Sequence, residues 1–139
     1  MIALRELKGI AARNGVPQAV VEKDLVLSVA LKAISESELS GRAVFKGGTA
    51  IRKIYFEDAR FSEDLDFNAV DIEKNNCMKL LNEALGKREI DGITFEKAEE
   101  ERTSAGLKAS VRYIGPLAHA QRIRFDFNFR ENLIGKPER

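Results

Sequence analysis

The sequence contains little cysteine, no long uninterrupted apolar run and almost no net charge. Its only cysteine, Cys77, excludes an intramolecular disulfide and fits a reducing compartment. The longest apolar stretch, residues 20–34, contains Glu22 and Asp24 and is too polar to span a bilayer. Charged residues close to the amino end, such as Arg5, do not fit a signal peptide. We therefore expect a cytoplasmic protein with no membrane partner.

The balance of charge and apolar residues is that of an ordinary globular domain. The 139 residues are 44% hydrophobic and 32% charged, with a formal net charge of +1. This apolar content is enough for one core, so we expect a single folded domain over residues 1–139. A near-neutral total neither requires nor excludes a nucleic-acid partner, because a local basic patch matters more than the sum.

The first half of the chain has mainly helical periodicity. Apolar residues at helical spacing precede Gly15, and a second helical pattern extends from Pro17 to about Ser37. Short buried strands are predicted at residues 43–45 and 65–67, and a short helix at residues 49–55. Asp71 is a candidate cap for a further helix that ends near Gly86.

The second half changes to a period of two, which is typical of strands with one buried face. The clearest strand has four apolar residues on one face and polar residues between them: Ile123, Phe125, Phe127 and Phe129. Residues 99–101, a run of glutamates, are interpreted as a solvated turn. These patterns predict an α+β domain in which one mixed sheet has its helices packed mainly on one face.

A glycine pair after the first predicted strand is a candidate anion site. Gly47 and Gly48 have no Cβ atoms, so their amides can approach a phosphate closely. The helix that follows would add its positive dipole end and the hydroxyl of Thr49, and Lys46 is a plausible helper. Taken alone, the pair also fits an ordinary turn.

Acidic residues follow at strand spacing. Asp64 and Asp66 would share one face of a strand with Ser62, while Leu65 and Phe67 point into the core. Two adjacent carboxylates repel unless a cation lies between them, and Mg²⁺ binds one or two carboxylates together with phosphate oxygens. Asp126 lies on the polar face of its strand by the same logic.

If the strand of Asp126 pairs beside that of Asp64 and Asp66, three carboxylates converge. Such a cluster beside a phosphate-binding turn suits two-metal phosphoryl transfer. The alternatives are a solvated strand edge for the first two acids, and salt bridges to neighbouring arginines for Asp126. Four arginines, which could form a basic face for an RNA acceptor or simply the polar side of a sheet, are Arg112, Arg122, Arg124 and Arg130.

These residues resemble the first motif of AbiEii-like nucleotidyltransferase toxins, which is Gly-Gly-Thr, a short helix, and then Arg-x-Ser-x-Asp-x-Asp. Here the motif corresponds to Gly47, Gly48, Thr49, Arg60, Ser62, Asp64 and Asp66. Residues 123–127 resemble the second motif, an apolar strand with one aspartate, and residues 21–24 resemble a recurrent helical segment. Ile51 stands where leucine is usual.

The resemblance implies a polymerase-β-like nucleotidyltransferase fold with Mg²⁺ or Mn²⁺ as cofactor. It implies that Asp64 and Asp66 bind the metals and that Asp126 is a third metal ligand or a general base. Residues implied to hold or support the nucleoside triphosphate are Gly47, Gly48, Thr49, Ser62, Arg60 and Lys46. The family usually continues into a helical second domain, and this chain ends where that domain is expected to begin.

The sequence therefore predicts the nucleotidyltransferase component of a toxin–antitoxin pair. Its substrates would be a nucleoside triphosphate and a hydroxyl acceptor on tRNA or protein, and its partner an antitoxin. Two alternatives are open: a catalytically inactive nucleotide-binding regulatory or interaction module, and a metal-dependent nuclease. The glycine turn ahead of the acids disfavours the nuclease.

Overall fold

Two helices begin the computed structural model, which describes residues 3–45, 64–101 and 106–129. Helix α1 spans Leu4–Asn14 and helix α2 spans Gln18–Ser35. Gly15 ends α1 with a φ of 65°, a left-handed conformation that glycine adopts without strain. Pro17 is the N-cap of α2, where its missing N–H group leaves no helical hydrogen bond unmade. Both predicted helices are confirmed, and no described helix has the length and apolar character needed to cross a membrane.

The other elements are short, apart from the last two strands. A 3-10 helix spans Glu38–Gly41 and helix α3 spans Lys74–Ala84. The strands, in chain order from β1 to β7, are Ala43–Phe45, Asp64–Ala69, Arg88–Ile90, Ile93–Phe95, Glu99–Glu101, Leu107–Ile114 and Ala120–Asn128.

The strands form one mixed sheet in the order β1-β2-β7-β6-β4-β3, and β5 also pairs with β6. β2 and β7 are parallel neighbours, whereas the other described pairs are antiparallel. The parallel pair lies inside the sheet, so two segments that are far apart in sequence meet there. This pairing brings the strand with Asp64 and Asp66 beside the strand with Asp126.

β4 and β5 behave as one bent strand along the same edge of β6. Thr94 pairs with Ile114, and Glu99 pairs with Ser110, so the β4–β5 side has one extra residue between these pairs. This is the geometry of a β-bulge. Asn82 of α3 fixes the bulge, because its Oδ1 accepts a hydrogen bond from the amide of Ala98 at 2.7 Å. The interpretation of residues 99–101 as a turn was wrong, because β6 supplies a partner strand.

The core lies between one face of the sheet and helices α2 and α3. Leu65 and Phe67 of β2, and Phe125 and Phe127 of β7, are at most 2% exposed. The rings of Phe67 and Phe127 stack with centroids 5.1 Å apart. Burying each such ring contributes about 1.5–3 kcal/mol, which favours this register over a one-residue slip. The described part of the chain thus confirms an α+β fold with a mixed sheet and helices mainly on one face.

Asp71 does not cap α3. The helix begins at Lys74 with Glu73 as its N-cap, and Asp71 has a φ of 53° in the preceding turn. A short polar side chain tolerates this left-handed conformation, and the carbonyl of Asp71 accepts a hydrogen bond from Arg42 at 2.9 Å. The predicted helix at residues 49–55 lies outside the described residues.

Candidate active site

Two aspartates face each other across the parallel strands. Asp66 of β2 is the direct partner of Asp126 of β7, and Asp64 is the partner of Arg124. Neighbouring strands lie about 4.8 Å apart, so the Asp66 and Asp126 backbones are at roughly that separation. The side chain of Asp66 is exposed and that of Asp126 is 41% exposed. Both are therefore on the face of the sheet opposite the core.

The apolar residues of β2 and β7 determine this arrangement. Each acid lies between residues that are buried in the core, and strand side chains alternate between faces. Like charges directly opposite each other on neighbouring strands destabilise a sheet. The phenylalanine packing therefore keeps two acids together that would otherwise separate.

Basic residues surround the acid pair, with specific partners. The Nζ of Lys108 lies 3.8 Å from the Oδ2 of Asp126. The Nε of Arg124 donates to Glu101 Oε2 at 3.3 Å, so the sequence neighbour of Asp126 pairs with a different acid. Sequence reasoning gave Lys108 no role. Its period-two position predicts the polar face, but only the β6–β7 register shows that it lies opposite Asp126.

The arginines extend the basic character along the same face. Arg112 and Arg122 are partners in the β6–β7 register, and Arg122 donates to the Oγ of Ser110 at 3.1 Å. Arg112 lies 3.9 Å from a carboxylate oxygen of Glu96. Arg130 lies outside the described residues.

The predicted phosphate-binding residues, Lys46, Gly47, Gly48, Thr49, Arg60 and Ser62, also lie outside the described residues. The described strands nevertheless determine where this segment leaves and rejoins the sheet. β1 ends at Phe45, which pairs with Phe67, the residue next to Asp66. The segment returns at Asp64, the first residue of β2. Both ends of the glycine-containing segment are therefore at the level of the acids.

The donor chemistry of the acid pair fits a hard divalent cation. Asp66 and Asp126 supply carboxylate oxygens from adjacent strands, and Mg²⁺ is commonly bound by one or two carboxylates with phosphate oxygens and water. The described residues contain no group of three or more acidic, histidine or cysteine ligands. The side chain of Asp64, the third predicted ligand, is outside the described set.

Two titratable side chains away from the acids are buried. Burial raises the pKa of the Cys77 thiol to about 12, so this cysteine is a core residue. Burial and the nearby charge of Glu22 also raise the pKa of Tyr113. His119, the only histidine, is exposed in the loop before β7, and nothing in the structure assigns it a role.

The overall architecture is that of nucleotidyltransferase toxins. It is similar to the solved structure of MenT4, a nucleotidyltransferase toxin from Mycobacterium tuberculosis, with a TM-score of 0.57 and 23% sequence identity. The similarity covers 80% of this chain and 38% of the MenT4 chain, so this chain matches well under half of MenT4. The search of curated proteins found no match.

Residues 29–139 match the family model described as nucleotidyl transferase AbiEii toxin of type IV toxin–antitoxin systems. The chain belongs to this family. The resemblance identified from the glycine turn and the spaced aspartates is therefore confirmed.

Proposed function

We propose that the protein is a metal-dependent nucleotidyltransferase that transfers a nucleotidyl group from a nucleoside triphosphate to a hydroxyl acceptor. The observation that carries this proposal is the direct pairing of Asp66 with Asp126 beside the point where the glycine-containing segment leaves β1. Clustered carboxylates on one sheet face, next to a phosphate-binding turn, are the requirements of phosphoryl transfer.

In this reaction the acceptor hydroxyl oxygen forms a bond to the α-phosphorus, the bond to the bridging oxygen breaks, and pyrophosphate leaves. When bound, Mg²⁺ or Mn²⁺ would neutralise charge on the triphosphate and orient it. Asp64, Asp66 and Asp126 would hold the metal, and Asp126 is also placed to accept the hydroxyl proton.

The triphosphate would lie against the glycine turn. Gly47 and Gly48 would contribute amides, Thr49 and Ser62 hydroxyls, and Arg60 and Lys46 positive charge. These roles follow from the family motif together with the position of the ends of the segment.

The acceptor and the partner follow from the family and from the open face. Arg112 and Arg122 lie on the same face as the acids, which supports an acidic acceptor such as tRNA, with protein as the other acceptor class. Membership of a toxin–antitoxin family supports an antitoxin protein as the partner. The proposed compartment is the cytoplasm.

Labelled nucleoside triphosphates tested separately, with total RNA or a protein extract and Mg²⁺, provide the test. We expect label in one acceptor fraction with the wild-type chain, and a rate at least about 100-fold lower for Asp126→Asn. Glu89→Gln, a matched charge removal on an exposed edge-strand residue, should retain the wild-type rate.

Each other outcome contradicts the proposal in a recognisable way. Shortening of the RNA would indicate a nuclease. Triphosphate binding without transfer to either acceptor would indicate the nucleotide-binding interaction module.

A further inference from the structure

Four charged residues form one row across the open face of the sheet. Glu101 of β5 pairs with Lys108 of β6, Lys108 pairs with Asp126 of β7, and Asp126 pairs with Asp66 of β2. All four lie on the same face, because paired residues in a sheet share a face. The ammonium group of Lys108 therefore lies between the acid pair on one side and Glu101 on the other.

The other described cations of this face have contacts elsewhere. Arg124 contacts Glu101, Arg112 contacts Glu96, and Arg122 donates to Ser110. Within residues 64–101 and 106–129, the ion pair between Lys108 and Asp126 is the one that brings a lysine or arginine to the Asp66–Asp126 pair.

The contact between Lys108 and Asp126 is loose. At 3.8 Å the Nζ–Oδ2 distance is too long for a hydrogen bond, so the attraction is between charges only. The Lys108 side chain is 34% exposed and its flexible stem leaves the ammonium free to turn toward Glu101. Such a contact can balance charge and can also be displaced.

We propose that Lys108 is a positioning residue that serves as the built-in counter-ion of the acid pair and competes with free divalent cations. Without metal, the ammonium offsets the repulsion between Asp66 and Asp126. A free metal ion must overcome repulsion from the same ammonium. A metal that arrives with a triphosphate brings negative charge that the ammonium attracts, so the complex binds more firmly than the free ion.

This inference rests on the proposed function, because it requires that the acid pair binds metal. Its consequence is that the site is occupied mainly by the metal–triphosphate complex. An ammonium and a divalent ion about 6 Å apart in a water-like environment interact strongly enough to change affinity on the order of tenfold. That difference is large enough to measure directly.

The test is titration of the full chain with Mn²⁺ in the absence of nucleotide, followed by calorimetry or by electron paramagnetic resonance. We expect Lys108→Gln to bind Mn²⁺ about tenfold more tightly than the wild type, and Lys108→Arg, which keeps the charge, to resemble the wild type. Arg112→Gln is the matched control, because Arg112 lies on the same strand and face but opposite Arg122, and its affinity should stay within about twofold.

A second titration uses a non-hydrolysable triphosphate analogue at saturating concentration. We expect the difference between the wild type and Lys108→Gln to fall to about threefold or less, because the phosphates then screen the ammonium. A difference that stays tenfold would overturn the proposed preference for the metal–triphosphate complex.

The two levels of the proposal fail differently. Unchanged or weaker Mn²⁺ binding by Lys108→Gln, with thermal unfolding like that of the wild type, would overturn the role of Lys108 and leave the metal site intact. Equally tight binding by Lys108→Arg would show that packing, and not charge, is responsible. Mn²⁺ binding that is insensitive to Asp126→Asn would overturn the proposed function itself.

Discussion

The backbone amide of Leu117 donates a 2.7 Å hydrogen bond to the Oε2 of Glu22, which joins the loop between β6 and β7 to helix α2. Glu22 is only 1% exposed. A Cβ atom at Gly115 would lie 2.9 Å from the same oxygen, so the loop backbone approaches the carboxylate closely. This contact fixes the hairpin formed by the strands that carry Lys108 and Asp126.

Glu22→Ala should lower the free energy of unfolding by about 2–3 kcal/mol, because it leaves a buried amide without its charged acceptor. Urea denaturation measures the change. Glu36→Ala, at the exposed C-cap of the same helix, is the control and should change stability by less than about 0.5 kcal/mol. Similar losses for the two variants would show that the buried contact contributes little.

Gly106 and Gly15 form a matched pair for testing close packing beside β7. Both have left-handed backbones, with φ of 69° and 65°. A Cβ atom on Gly106 would lie 2.5 Å from the carbonyl oxygen of Phe127, whereas one on Gly15 would meet nothing within 4 Å. We expect Gly15→Ala to cost about 1 kcal/mol and Gly106→Ala about 2–4 kcal/mol in thermal or urea unfolding. Equal costs would mean that the sheet shifts without strain.

The thiol of Cys77 should be unreactive in the folded chain. Burial raises its pKa from 9.0 to about 12, so almost no thiolate is present at pH 8. A disulfide reagent should modify it only at the rate of unfolding, and fully in urea. Because the folded pKa is the higher one, its contribution to stability is complete below pH 9 and is lost as the pH rises toward 12. Rapid modification of the native protein at pH 8 would contradict this placement.

Asp66→Asn should stabilise the metal-free protein by about 0.2–1 kcal/mol, because it removes one of two like charges on adjacent strands. With saturating Mn²⁺ the order should reverse, since the wild type gains more from binding the ion. Thermal unfolding with and without Mn²⁺ measures both effects. A metal-free Asp66→Asn variant that loses more than about 1 kcal/mol would identify the acid as structural.

Local sequence patterns predicted much of the fold. Gly15 and Pro17 correctly located the boundary between the first two helices, and the alternating phenylalanines of residues 123–129 correctly identified the last strand. These features are determined by backbone preferences and by side-chain period, and both can be read within a few residues.

Long-range features were harder to predict. Asp71 and residues 99–101 were misassigned because a turn conformation and a partner strand override local propensity. The burial of Glu22 depends on an amide far away in sequence, at Leu117. The position of Lys108 opposite Asp126 depends on the register of a hairpin, which period-two alternation alone does not determine.

The parallel alignment of β2 and β7 also affects when the centre can assemble during translation. Asp126 belongs to the last described strand, and Asp66 lies on a strand made far earlier. A nascent chain on the ribosome has no facing carboxylate for Asp66 until β7 has emerged and docked, and such non-local pairings form late in folding. For a member of a toxin family, the host cell is thereby spared from unfinished copies, and only a completed sheet presents both acids.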